Sequence, residues 1–273
     1  MKKLIPLLFV VIMLATGCPQ PEPEVHQVEI GMFTPYYVFP EVLNGKIKEV
    51  SEKNYMAVEE DVTFIKGERM TVAHRDTAGW TNDFMATFDE NGNLLKCVTM
   101  DENDEAIDIW KTTVEGDKVV SAEYTYKDTL RSVGRLSYNE DGQLKEIERF
   151  RMPEDTLINS VMMTRDENGN VVEWQFYDPG DDPTSKYIYT VGQDGKYTGF
   201  KYYNKDGEVT LEQQFTYNDH GFLQRHVIID RDGNEYVATY DYEYDDMGNW
   251  VKVFASLDEQ RVLTERDITY YEE

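Results

Sequence analysis

Cysteine is almost absent from the 273-residue chain, which carries only Cys18 and Cys97. A disulfide-stapled scaffold is therefore excluded. Histidine is scarce too: His26, His74, His220 and His226 show no metal-ligand spacing. Positive charge is in deficit, with 27 Lys and Arg against 53 Asp and Glu and a net charge of −26. Phosphate recognition needs a cationic surplus, so nucleic acid is excluded as a partner, and docking of the folded part on anionic lipid is disfavoured. Phosphate-cradling glycine loops and a Gly-x-Ser-x-Gly nucleophile motif are missing. The chain has one long apolar run, Leu4 to Ala15, and its 12 residues are too few to cross about 30 Å of hydrocarbon as a helix.

What is present is a chain rich enough to fold. Its hydrophobic content is 40% and its aromatic content 13%, above the range of disordered sequences. The start, Met1-Lys2-Lys3 followed by the apolar run and small residues, has the form of a secretory signal over residues 1–17. Without it, 25 basic residues face 53 acidic ones. The segment Leu14-Ala15-Thr16-Gly17-Cys18 resembles a bacterial lipoprotein box. That resemblance implies cleavage before Cys18 and lipid attachment at its sulfur and amine, a stable anchor. An ordinary signal peptide cut near Gly17 is the alternative. Within residues 18–27, Cys18 is followed by Pro19-Gln20-Pro21-Glu22-Pro23-Glu24, a stiff, solvated tether. The acidic residues close to Cys18 loosely resemble the surface-export signal of Bacteroidetes lipoproteins. A cell-envelope protein, lipid-anchored at the outer membrane, is the expected location.

A repeat dominates the rest. Turn signals end at Gly92, Gly116, Gly142, Gly169, Gly195, Gly221 and Gly248, spaced 24, 26, 27, 26, 26 and 27 residues apart. Before most of them stand Asp or Asn and two polar residues, as in Asp89-Glu90-Asn91-Gly92 and Asp166-Glu167-Asn168-Gly169. Asp or Asn opens a type I turn, and glycine takes the left-handed position that follows. A second turn falls at mid-unit, with glycine at Gly207 and Gly233 and polar residues elsewhere. Each unit is thus two strands and two turns. Segments such as Tyr240-Asp241-Tyr242-Glu243-Tyr244 alternate as half-buried strands do.

The fifth residue after each glycine is Cys97, Ser121, Ile147, Trp174, Phe200, His226 or Val253. This mostly apolar column marks the expected buried face, and Leu95, Val172, Phe176, Tyr202, Ile228, Val251 and Ala255 are assigned to it. The second residue after each glycine (Leu94, Lys118, Leu144, Val171, Tyr197, Leu223 or Trp250) is expected on the other face. Apolar residues on both faces require a sheet that curls, closes or is covered.

Tyr242-Glu243-Tyr244-Asp245-Asp246-Met247-Gly248-Asn249-Trp250, Phe88-Asp89-Glu90-Asn91-Gly92-Asn93-Leu94 and Tyr217-Asn218-Asp219-His220-Gly221 resemble the Rhs/YD repeat. Thr112, Arg165 and Val191 depart from it at the aromatic position four before the glycine. The resemblance implies a long β-meander and no catalytic residue. The expected fold is all-β: an antiparallel meander of seven to eight hairpin repeats of about 26 residues over 81–273, a curled sheet or open barrel-like single domain. Residues 28–80 read as an irregular β capping region. Asn44-Gly45 is a strong hairpin signal there and Lys66-Gly67-Glu68 a weaker one, with Phe33 to Pro40 covering the first strand edge.

No residue set carries catalysis. Ser137, Asn139, Asp141, Gly142 and Glu148 come closest to a calcium loop, but the first ligand is Ser and hairpin chemistry explains the same residues. With 53 acids, a carboxylate pair at a glycosidase spacing is uninformative. Cys97 and His226 share a core column five units apart. Exposed tyrosines could stack on sugar rings, although cross-strand pairing accounts for most of the 19. No catalytic residue, metal or cofactor is assigned. The expected role is a non-catalytic binding or scaffold module for a protein or glycan partner. A secreted glycan-active enzyme and an immunity or toxin-neutralising protein are the alternatives.

Overall fold

A computed structural model describes residues 25–28, 41–60, 63–78, 82–257 and 260–272. Cys18, the tether and the Phe33–Pro40 segment lie outside them. The chain runs through β1 (Val25–Val28), β2 (Glu41–Asn44), β3 (Ile47–Glu60), β4 (Thr63–Arg69), α1 (Val72–Ala78), β5 (Asp83–Phe88), β6 (Leu94–Met100), β7 (Ala106–Glu115), β8 (Lys118–Tyr126) and β9 (Thr129–Tyr138). It continues with β10 (Leu144–Arg151), β11 (Thr156–Arg165), β12 (Val171–Asp178), β13 (Asp182–Val191), β14 (Tyr197–Tyr203), β15 (Val209–Tyr217), β16 (Leu223–Asp230), β17 (Glu235–Tyr244), β18 (Trp250–Leu257) and β19 (Gln260–Tyr270).

Neighbouring strands pair antiparallel from β5 to β19, and β19 pairs with β3, so the meander closes rather than staying open. Strand β3 is long enough to serve two partners on one edge. Glu49 to Glu52 pair with β5, and Tyr55 to Glu60 pair with β4. The ring thus counts 16 strands, with β4 as a side arm. Gly67, a hairpin signal in the sequence, instead lies inside β4. A Cβ there would come within 2.7 Å of the Met56 carbonyl oxygen and 2.6 Å of Val58.

The fork in β3 frees backbone groups, and a buried ion cluster satisfies them. Asp83 accepts from the Asn54 amide at 3.0 Å, from Asn54 Nδ2 at 3.0 Å and from Arg69 Nε at 2.8 Å. Arg75, on α1 and fully buried, meets the same carboxylate at 2.5 Å. Losing one partner of such a buried group costs about 3–5 kcal/mol.

The turn glycines from Gly92 to Gly248 all have positive φ, between 68° and 102°. In the Gly92 turn, the Asp89 side chain accepts from the Asn91 and Asn93 amides at 2.9 and 2.8 Å. The same bonding recurs at Asp166, Asn218, Asp230 and Asp245. At Asp101 the left-handed position is filled by Asp104, with φ 66°, a residue that tolerates it.

The register corrects the reading of the two columns. Phe88 pairs with Leu94 but Thr87 pairs with Lys96, so one extra residue, Leu95, is bulged out. The shift repeats at Lys145, Val172, Thr198, Gln224 and Val251. A bulge of one residue resets the alternation. It brings the second and the fifth residue after the glycine onto one face. Leu94 and Cys97 accordingly share one cluster, Trp250 and Val253 another, and Val171, Trp174, Tyr197 and Phe200 a third. Leu95, Val172 and Val251 are thus the bulged residues rather than members of that face. Ser121 departs as well. The Gly116 turn is tighter, and Ser121 pairs with Arg135 while its neighbour Ala122 pairs with Gly134 on the cluster side.

The shared face is the inner wall, since a closed sheet converges on its concave side. It holds Val50, Ala86, Cys97, Phe200 and Phe215, all buried. It also buries the Glu52–Arg266 pair, with Arg266 Nε donating to Glu52 at 2.9 Å and its guanidinium 3.4 Å above the Trp250 ring. The outer wall buries only scattered residues such as Val98, Val227 and Leu263. It carries cross-strand charge rows, including Glu243, Lys252, Glu265 and Lys53 in register. A basic residue facing lipid at mid-membrane costs about 2–4 kcal/mol, so this wall is built for water. No helix among the described residues is long and apolar enough to cross a membrane.

Gly233 isolates the backbone requirement, because nothing lies within 4 Å of a Cβ built on it. Gly233→Val should destabilise by about 1–3 kcal/mol in urea unfolding, and Gly233→Asn by much less. Equal stability of all three proteins would contradict the turn geometry.

Candidate functional site

Alternation on paired strands places a continuous aromatic tract on the inner wall. Trp174 pairs with Tyr187, Tyr187 with Tyr202, and Tyr189 with Phe200. Phe200 pairs with Gln213, and Phe215 with His226. The rings meet edge-on or tilted: Tyr187–Phe200 at 5.3 Å, Tyr187–Tyr202 at 4.8 Å and Phe215–His226 at 5.0 Å between centroids. Such pairs contribute about 0.5–1.5 kcal/mol each beyond the area they bury. Phe200 and Phe215 form the floor, whereas Trp174, Tyr187, Tyr202 and His226 are half-buried. Complete burial of the fifth-residue column therefore does not hold. It is buried at Cys97, Phe200 and Val253 and half-open at Ile147, Trp174 and His226. The reason is width. A 16-strand ring has no second layer to cover every inward side chain, so the wall stays accessible to a ligand.

A second aromatic pair lies further round the wall. Trp110 pairs with Tyr124, their centroids 4.7 Å apart. Asp108, two residues before Trp110, points to the same side, and burial raises its pKa. Burial likewise raises the Tyr124 phenol, with the Asp108 charge adding to it.

Cys97 and His226, five units apart in sequence, are not brought together as a catalytic pair. Cys97 is 1% exposed, and burial pushes its thiol up to about 12, reinforced by Asp108 and Glu52. His226 shares a hydrogen bond of 2.9 Å with the Gln213 side chain, and burial lowers it to about 4. Neither has the activated form a nucleophile or general base needs. Among the described residues no group of three or more His, Cys, Asp or Glu is placed to hold a metal. On the outer wall, a shallow depression between Phe64, Asp241, Phe254 and Arg261 gathers no set of reactive groups. The aromatic character of the wall was visible in the sequence. Its continuity was hidden there, because the bulge that aligns the two columns leaves no compositional mark.

Two outcomes follow from these environments. Cys97 should react with a thiol reagent at least about a hundredfold faster in denaturant than in the native state; comparable rates would contradict its burial. His226 is neutral in folded and unfolded chains above about pH 6.5 and then contributes nothing. Between about pH 6.5 and 4 the unfolded chain takes up a proton that the folded chain resists, so stability falls. Relative to His226→Gln, the wild type should lose about 2 kcal/mol over that interval, allowing for partial exposure. Parallel pH profiles would contradict this environment.

No known protein family matches the sequence, and no curated protein does. Comparison with solved structures gives distant likenesses. A porin-like protein from Bacteroides vulgatus is 10% identical, with a TM-score of 0.43, over 83% of this chain and 99% of its own. A porin-like protein from Bacteroides uniformis is 9% identical, with a TM-score of 0.36, over 82% and 98%. The TcdB2-TccC3 structure is 13% identical, with a TM-score of 0.32, over 77% of this chain and 11% of that one.

Proposed function

We propose that the protein is a non-catalytic lipoprotein of the cell envelope, anchored through Cys18, whose barrel binds a glycan on its inner wall. The anchor rests on the leader and the Cys18 box. The binding role rests on one observation above the others: a tract of half-buried rings, Trp174, Tyr187 and Tyr202 among them, lines a concave wall. Sugar rings present apolar C–H faces and a rim of hydroxyls. Aromatic side chains match the faces, while Gln213 and the tyrosine hydroxyls match the rim. The outer wall, polar and strongly charged, keeps the barrel in water at the end of its tether. A protein partner is less suited to this wall, because its surface is concave and divided into ring-sized steps.

The test is binding of the detergent-solubilised full-length protein to an array of neutral and acidic bacterial polysaccharides. Retention of at least one glycan is expected, with Tyr202→Ala weakening it about tenfold through loss of one stacking contact. Retention of none, or unchanged retention by Tyr202→Ala and Tyr187→Ala, would contradict the reading.

A further inference from the structure

The chain holds about two acids for every base, and its arginines divide by whether one of those acids reaches them. Arg69, Arg75, Arg135, Arg231 and Arg266 each meet a carboxylate. Three others, Arg131, Arg149 and Arg151, differ, as does Arg225 on the outer wall. Among the described residues, none of their guanidinium groups forms an ion pair or a hydrogen bond. These three also fall together. Arg149 pairs with Gly134 and Arg151 with Ser132, while Ser132 pairs with Tyr124. That run of partners places Arg149 and Arg151 on the inner wall, about 7 Å apart along β10. Arg131 is the extra residue of the bulge in β9, and its guanidinium stands 6.0 Å from the Tyr126 ring centroid on the same wall.

We propose that Arg131, Arg149 and Arg151, beside the Trp110–Tyr124 ring pair, form a subsite for an acidic sugar residue, one bearing a carboxylate or sulfate. This rests on the glycan reading above and specifies the class of glycan.

The geometry supplies each part such a residue needs. Trp110 and Tyr124 give a ring platform. Between the platform and the arginines the wall is low, because β9 carries Ser132 and Gly134 there. A Cβ on Gly134 would meet only ordinary contacts, Ile147 at 3.6 Å and the Ala122 carbonyl at 3.8 Å. Packing alone therefore does not demand glycine, and its absence of side chain leaves the floor open. Arg149 is solvent-accessible yet enclosed by the barrel wall, and that enclosure lowers its pKa. A guanidinium held in this way gains most from a charged, bidentate acceptor. Asp108 lies on β7, on the side of the platform away from β10. The same acid disfavours an anion directly on the rings, which directs the charged substituent toward β10.

The test follows tryptophan fluorescence of the detergent-solubilised full-length protein during addition of oligogalacturonate or its fully methyl-esterified form. The rings of the two probes are alike and only the charge differs. The acid form is expected to bind at least about tenfold more tightly, with the preference shrinking as salt rises. Arg149→Gln and Arg151→Gln should each weaken the acid form several-fold and leave the ester unchanged. Arg149→Lys should restore part of the loss, which separates lost charge from a damaged fold. Equal binding of acid and ester, or acid binding insensitive to all of these variants, overturns the subsite and leaves the glycan reading standing. Binding of neither form overturns the subsite, and the polysaccharide array then decides the glycan reading separately.

Discussion

The barrel depends on how each hairpin is tied to the one before it. The bulge after each of the seven repeat-spaced turns leaves the residue before it without a ladder partner on the following strand. Pairing of β6 with β7 begins only at Lys96, of β14 with β15 only at Gly199, and of β16 with β17 only at Arg225. The carbonyls left over are taken by side chains of the next unit. Tyr217 donates to the Tyr197 carbonyl at 2.6 Å, Tyr242 to Leu223 at 2.7 Å and Tyr138 to Val119 at 2.6 Å. Thr112 donates to Leu94, and Arg165 to Leu144 at 3.4 Å. Near the closing seam Tyr271 donates to Phe88 at 2.6 Å. Each bond contributes about 0.5–1.5 kcal/mol, and leaving the buried carbonyl unpaired costs about 1–3.

This explains residues that looked like departures from the repeat. Thr112 and Arg165 replace the aromatic four before the glycine, yet both still carry a donor to the same kind of carbonyl. Val191 has none. There the neighbouring Tyr197 hydroxyl instead accepts from the Val171 amide at 3.1 Å. Phe88 likewise has no donor, and before Gly248 it is Tyr242, six residues ahead of the glycine, that donates in place of Tyr244, so the carbonyl can be reached from more than one position.

Turns, strand length and the apolar fifth-residue column were legible in the sequence, because glycine at positive φ and period-two alternation are local properties. Closure was not. It depends on β3 pairing with β19 across some 210 residues and on the fork that lets β3 serve β4 and β5 together. Asp83, Arg75 and Asn54, which hold the fork, come from separate elements and carry no spacing signal. The inner wall was half legible. Its aromatic residues were evident, but the bulge moved Leu94, Val171, Tyr197 and Trp250 from the expected outer face to the inner one. The arginine group on β9 and β10 was silent, since only the strand register and the bulge in β9 bring Arg131, Arg149 and Arg151 to one wall.

The bulge thus determines both stability and the surface offered to a ligand, and it can be tested by removing one residue. Gln224 is the extra residue after Leu223, and it is exposed. Gln224→Ala should change stability by no more than about 0.5 kcal/mol. Deleting Gln224 should turn Leu223 outward, withdraw its carbonyl from Tyr242 and lower the urea midpoint, with a loss of several kcal/mol in unfolding free energy, or abolish cooperative unfolding. A deletion protein with the wild-type midpoint would contradict the claim that the recurrent bulge sets the register of the barrel.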